Sequence, residues 1–291
     1  MPGSVILSGS ISSAPRPFFL PCGNGRLFCV YHEPMGGAEG CWGNVLVVPA
    51  FNEEMNRCRS MVTIQAQALA KAGIGTLVVD LFGTGESDGE YGEARWDIWI
   101  DNIRTCAEWL EATHAGGCSA LLGIRLGVPL AFEAIRNLPH VQAVIAWQAV
   151  VDGKHYLTQF MRMRIAANMD RTDIPKDTTA GMRAQLAAGQ SIEVAGYEIA
   201  PELARSIDGL RLIDLMPPES VSMAWFEKGS GDEPVISTIS QNLVEGWRQA
   251  GRHVDAVAFD APAFWALYDR YISPELVEQT TEWVKSLRWQ K

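Results

Sequence analysis

Gly123-Ile124-Arg125-Leu126-Gly127 has the frame of G-x-S-x-G, the sharp strand-to-helix turn that presents a nucleophilic serine, with an arginine in the serine's place. A short apolar run, Ser119 to Leu122, reads as the strand leading in, and a helix with Pro129 in its first turn leads out. A guanidinium is permanently charged and donates hydrogen bonds, so this position offers charge and directed donors rather than covalent attack. At a helix N-terminus the macrodipole disfavours a cation, and partial burial disfavours it further, so Arg125 requires an anionic partner. Glu53 and Glu54, in Pro49-Ala50-Phe51-Asn52-Glu53-Glu54-Met55-Asn56-Arg57, are the candidate acids, with Arg57 one turn on. Two arrangements follow. In the favoured one, Glu53 or Glu54 closes an internal ion pair with Arg125; in the other, Arg125 faces a cleft and grips a carboxylate or phosphoryl group of a ligand bidentately. A carboxylate of this pair acting on water is a third route, if a covering segment desolvates it and raises its pKa.

Acyl-transfer chemistry also needs an oxyanion hole, and its two backbone donors would be the amides of Phe51 and Leu126. It further needs an acid after a late strand and a histidine after the last one. Glu227, Asp232 and Glu233 follow a strand ending at Phe226, but the loop after Phe259 reads Asp260-Ala261-Pro262-Ala263-Phe264-Trp265, without histidine. Of the five histidines, His32, His114, His140 and His253 belong elsewhere in the layout. His155 alone is on the correct side, out of the usual chain order, and reads as the entry to a covering segment. Cys58 and Ser87 have no base at a useful spacing and read as structural. Serine-triad chemistry is therefore not expected.

These residues need a scaffold in which strands and helices alternate. Leu27 to Tyr31 reads as an early antiparallel strand. Asn44 to Val48, Thr76 to Val79, Gln142 to Trp147, Val221 to Phe226 and Asp255 to Phe259 read as buried strands. Between them, Met61, Ile64, Ala68, Leu69 and Ala72, then Trp96, Trp99, Ile103 and Leu110, then Ile236, Ile239, Leu243 and Trp247 recur at helical spacing. Ser273 and Pro274 open a last helix as N-cap and N1. Asp80-Leu81-Phe82-Gly83-Thr84-Gly85-Glu86-Ser87-Asp88-Gly89 resembles the glycine-rich turn of many α/β-hydrolases. The expected fold is thus an α/β-hydrolase: a mostly parallel eight-stranded sheet flanked by helices. Residues 1–153 and 219–291 would form its core, and residues 154–218, with helix-compatible pieces but no strand-like run, a helical cap over the cleft.

The 291 residues suffice for one such domain, and a net charge of -10 without basic clusters argues against nucleic acid or an anionic membrane as partner. The expected partner is a small, anionic or acyl-bearing molecule, and a homodimer is compatible with the sequence. Six cysteines, without metal-like spacing, read as reduced and mostly buried, with no metal or cofactor implied. Met1 to Pro21 lacks a basic n-region, and Val5 to Leu7 and Phe18 to Leu20 are too short for an h-region, so a cytoplasmic protein is expected.

Pro49 to Met61, Asp80 to Trp96 and the Gly123 to Gly127 pentapeptide together resemble the exosortase A (PEP-CTERM) system-associated hydrolases, type 2. The resemblance extends to Trp147-Gln148, Gly153-Lys154, Gln159-Phe160 and Phe264-Trp265. It implies an accessory protein encoded with acyl-activating or polysaccharide genes, and a hydrolase named by its fold. Asn52, Arg57, Trp147, Gln148, Lys154, His155 and Trp265 are then the expected cleft residues. Two functions follow: an acyl- or ester-type hydrolase by a non-triad route, or a pseudoenzyme that binds an anionic ligand or a partner protein.

Overall fold

The computed structural model describes residues 14–169, 176–229 and 234–287. Val5 to Leu7 and the candidate acids Asp232 and Glu233 lie outside them. Arg16–Cys22 (β1) and Gly25–His32 (β2) form an antiparallel hairpin, followed by a single turn, Gly37–Gly40 (α1). The alternating core begins with Asn44–Val48 (β3), Glu53–Lys71 (α2), Gly75–Val79 (β4) and Trp96–Thr113 (α3). Ala120–Ile124 (β5), Gly127–Ala134 (α4) and Ala143–Trp147 (β6) continue it. An insertion follows: Gly153–Ala167 (α5), Thr179–Ala187 (α6), Ile192–Val194 (β7), Tyr197–Ile199 (β8) and Pro201–Asp208 (α7). Ser222–Lys228 (β9), Thr238–Gln249 (α8), Val254–Phe259 (β10) and Pro274–Ser286 (α9) complete the core.

The main sheet has eight strands in the order β1-β2-β4-β3-β5-β6-β9-β10, with β2 antiparallel to both neighbours and every pair from β4 to β10 parallel. Every residue of β3, β5 and β6 is buried, which is why these strands read as unbroken apolar runs rather than alternating ones. Val45, Val47, Leu122, Ile145 and Phe226 pack under α2 and α9; Leu46, Leu121, Val144, Met223 and Trp225 pack toward α3, α4 and α8. Burying each such large side chain contributes about 1.5–3 kcal/mol. At the start of α9 the Ser273 side chain accepts the Leu276 amide and Pro274 takes the first turn. Among the described residues no helix is long and apolar enough to cross a membrane.

Three details differ from the sequence reading. β1 adds an edge strand before β2. The insertion is not purely helical: β7 and β8 form a hairpin whose turn residues, Ala195 and Gly196, have φ 53° and 83°, the positive pair that a tight type I′ turn requires. Ile239, expected on the apolar face of α8, is 67 % exposed, while Ser240, Leu243, Val244 and Trp247 form the buried face. Gly83 and Gly85 are both at positive φ, and a Cβ on Gly85 would lie 2.0 Å from Asp80 Oδ2, so the glycine-rich turn is a structural device.

Candidate functional site

β5 delivers the chain into the elbow, where Arg125 has φ 54°. A non-glycine residue in this region costs roughly 1–2 kcal/mol, so the surroundings must impose it. The Arg125 amide donates to the Trp147 carbonyl at 3.0 Å, and its own carbonyl accepts the amides of Val128 and Val150 at 3.1 and 3.3 Å. Close backbone packing does the rest. A Cβ on Gly123 would lie 2.6 Å from Val128 Cα, and one on Gly127 would lie 2.3 Å from the Val48 carbonyl oxygen. Both flanking glycines are therefore needed for β3, β5 and α4 to meet.

The Arg125 side chain, 16 % exposed, is held from several sides. Nε donates to Glu54 Oε1 at 3.1 Å and Nη1 to the Gln148 carbonyl at 3.2 Å. The guanidinium carbon lies 5.2 Å from the Trp265 ring centre and 5.5 Å from that of Tyr156, so the cation is flanked by aromatic rings. Tyr156, from α5, donates its hydroxyl to Glu54 Oε2 at 2.8 Å. Glu54 thus has one oxygen on Arg125 and the other on Tyr156. Nη2 of Arg125 makes no hydrogen bond among the described residues.

Glu53 takes another direction. Its Oε2 accepts from Tyr197 of β8 at 2.8 Å and from Asn56 at 3.0 Å. These bonds hold its carboxyl below the usual glutamate range, against the effect of burial, with Arg57 adding a smaller attraction. The raised pKa that water activation by Glu53 requires is therefore not present. Asn52, 4 % exposed, has φ 53°, and its Oδ1 accepts the Tyr91 hydroxyl. Arg57 donates to the Ala266 carbonyl at 2.7 Å and lies 4.9 Å from the ring centre of Tyr268.

A cavity of about 700 Å³ opens above these groups. Asn52, Glu53, Glu54, Arg57, Arg125, His155 and Trp265 all line it, joined by Phe51, Val150, Phe160 and Met163. Three expected cleft residues, Trp147, Gln148 and Lys154, do not line it. Trp147 is fully buried against α9, its Nε1 donating to Thr280 Oγ1 at 3.0 Å, because its side chain projects to the sheet face that α2 and α9 cover. Lys154 is exposed and does not line the cavity. Gln148 reaches Arg125 only through its backbone carbonyl, its side-chain oxygen being taken by the Lys228 amide at 2.8 Å. His155 is exposed at the start of α5, its ring 3.3 Å from the Gln159 side-chain nitrogen.

The amides of Phe51 and Leu126 donate no hydrogen bond among the described residues. Cys58 is buried, which pushes its thiol well up. The Ser87 hydroxyl donates to the Asp80 carbonyl and accepts the Phe28 amide. Glu227 is buried, with its oxygens on Trp225 Nε1 and the Ser237 amide at 2.9 and 3.0 Å, and does not line the cavity. Trp265 occupies the loop where a histidine would be expected. Tyr156 and Tyr197 are site residues that the sequence reading did not single out. Their tell-tale would have been tyrosines inside an otherwise polar insertion, since a half-buried tyrosine seeks a partner for its hydroxyl.

The family model described as Serine aminopeptidase, S33, matches residues 42–186. No curated protein matches. Among solved structures, Est1E from Butyrivibrio proteoclasticus, with ferulic acid bound, is 15 % identical with a TM-score of 0.63, over 93 % of this chain and 97 % of its own. The α/β hydrolase GrgF from Penicillium sp. sh18 is 14 % identical with a TM-score of 0.63, over 94 % and 98 %. A Pyrococcus furiosus esterase is 14 % identical with a TM-score of 0.59, over 94 % and 90 %. With the eight-stranded sheet and the elbow between β5 and α4, these likenesses show that the chain has the α/β-hydrolase fold.

Proposed function

We propose that this protein binds a small molecule in the cavity over the elbow, with an apolar body against Phe51, Val150 and Phe160 and a carboxylate or other anionic head on the open edge of Arg125. The observation that carries this reading is the state of Arg125: two of its nitrogens are fixed by Glu54 and the Gln148 carbonyl, while Nη2 has no partner among the described residues and borders a roomy, mostly apolar cavity. In this reading the serine-triad reaction is lost. Arg125 stands at the nucleophile's position, Trp265 in the loop of the base, and Cys58 and Ser87 are held in structural contacts. The test is a thermal-shift screen of medium-chain and aromatic carboxylates with wild type and Arg125→Met. Stabilisation of wild type that is lost in the variant is expected; equal stabilisation of both refutes the anchor.

A second reading, an acyl- or ester-type hydrolase by a non-triad route, draws on the amides of Phe51 and Leu126, unpartnered among the described residues, and on a fold shared with an esterase. Saturable hydrolysis of p-nitrophenyl esters, lost on Glu54→Gln, would favour it. The exosortase A-associated branch is supported by the Pro49 to Met61 segment joined to the arginine elbow. Grouping of chains that share both features, together with the identity of their neighbouring genes, tests that assignment. A cytoplasmic location and a homodimer belong to the same proposal and are checked by cell fractionation and by light scattering.

A further inference from the structure

The acid pair Glu53-Glu54 does more than answer Arg125. Both residues sit in the first turn of α2, where the helix dipole favours an ionised carboxylate. Each accepts a phenolic hydroxyl from a different element of the insertion: Glu54 from Tyr156 of α5, and Glu53 from Tyr197 of β8, both at 2.8 Å. Burial pushes the Tyr156 phenol well above its ordinary value and Tyr197 up to about 12, so both remain protonated donors at neutral pH. Around these bonds the contact is otherwise aromatic. Phe51 packs edge-on to Tyr156 and Phe160, and Tyr91 to Tyr197.

We propose that Glu53 and Glu54 form a two-point latch that fastens the cavity-lining α5 and the neighbouring β7–β8 hairpin to the start of α2, and that the Glu54 half is set by Arg125. This rests on and deepens the reading of the cavity as a ligand site by making its α5 wall releasable. Glu54 is shared: one oxygen faces the elbow cation and the other the insertion. Arg125 therefore fixes the carboxylate that receives Tyr156, and a ligand that shifts Arg125 also loosens α5. The Glu53 half makes no hydrogen bond to Arg125 among the described residues and keeps the hairpin docked independently. Moving α5 away from the cavity then requires breaking the Tyr156–Glu54 bond, while the Tyr197–Glu53 bond, on the preceding residue of the same helix end, holds the hairpin.

Amide hydrogen exchange on the full-length protein, without ligand, tests this. Tyr156→Phe combined with Tyr197→Phe deletes only two hydroxyls, and should speed exchange in peptides covering α5 and β7–β8 by roughly tenfold. Peptides of β3 and β5 should be unchanged and serve as the control for folding. Arg125→Met should speed α5 by a few-fold and leave the hairpin as in wild type. Exchange within twofold of wild type in the double variant overturns the latch, and an unchanged α5 in Arg125→Met overturns its coupling to the elbow. Because no ligand is used, the latch can fail while the ligand site stands, and the reverse.

Discussion

The Arg125–Glu54 pair can be weighed by a double-mutant cycle of Arg125→Met and Glu54→Gln. Its Nε–Oε1 distance is 3.1 Å and its side chains are 16 % and 21 % exposed. Unit charges about 4 Å apart attract by about 1 kcal/mol in water and about 4 kcal/mol at an effective dielectric of about 20. Desolvation of both groups offsets part of the larger figure, and the remaining exposure screens the rest. A coupling energy of about 1–2 kcal/mol is expected, and it should change little between low and moderate salt. The same molecule offers a reference: Arg104 and Asp101, 3.0 Å apart on the surface of α3, are 46 % and 66 % exposed. Their coupling should be below about 0.5 kcal/mol and fade with salt. Urea unfolding followed by tryptophan fluorescence measures both cycles. If the elbow cycle gives no more coupling than the surface cycle, the pair is solvated and the argument for a desolvated, sequence-encoded partner is wrong.

Arg125→Ser should give no saturable hydrolysis of p-nitrophenyl acetate, since Trp265 rather than a histidine stands beside the elbow and the Glu54 carboxylate is held by Tyr156; clear turnover would mean that Glu54 serves as the proton acceptor. Gly127→Ala should lower stability by about 2 kcal/mol or more, because its Cβ would meet the Val48 carbonyl oxygen at 2.3 Å, and an unchanged melting temperature contradicts this. Glu53 has a folded pKa depressed by its bonds to Asn56 and Tyr197. Its contribution is therefore complete above the ordinary glutamate value of 4.5 and is lost as pH falls through the lower folded value. The stability difference between wild type and Glu53→Gln should shrink on acidification, and a flat difference from neutral to strongly acid pH refutes it. Cys22 is partly exposed and the other five cysteines are buried, so a thiol reagent should titrate one of the six in native protein and all six in denaturant.

The central strands were legible because burial on both faces writes each of them as an unbroken apolar run, as in Asn44 to Val48 and Ala143 to Trp147. β1 was not, since Arg16–Cys22 holds two prolines and a mostly exposed edge, leaving no alternation to read. The hairpin of the insertion was hidden by strands of three residues and by an Ala-Gly turn in place of the stronger Asn-Gly signal. At the site, the need of Arg125 for an acid followed from local electrostatics. Which acid it takes depends on Tyr156 and Tyr197, which lie 102 and 144 residues from their carboxylates, so no short-range spacing pairs them. Trp147 was misplaced for a simpler reason: one step along a strand moves a side chain to the other face of the sheet.

The left-handed backbone at Arg125 persists without a serine to present. Its cause lies in the packing of Gly123 and Gly127 against Val128 and Val48, none of which depends on the side chain at position 125. The elbow is thus a pedestal whose shape is independent of what stands on it. Any residue placed at 125 inherits the same projection toward the cavity, so a single codon can redefine the chemistry of this pocket while the fold remains as it is.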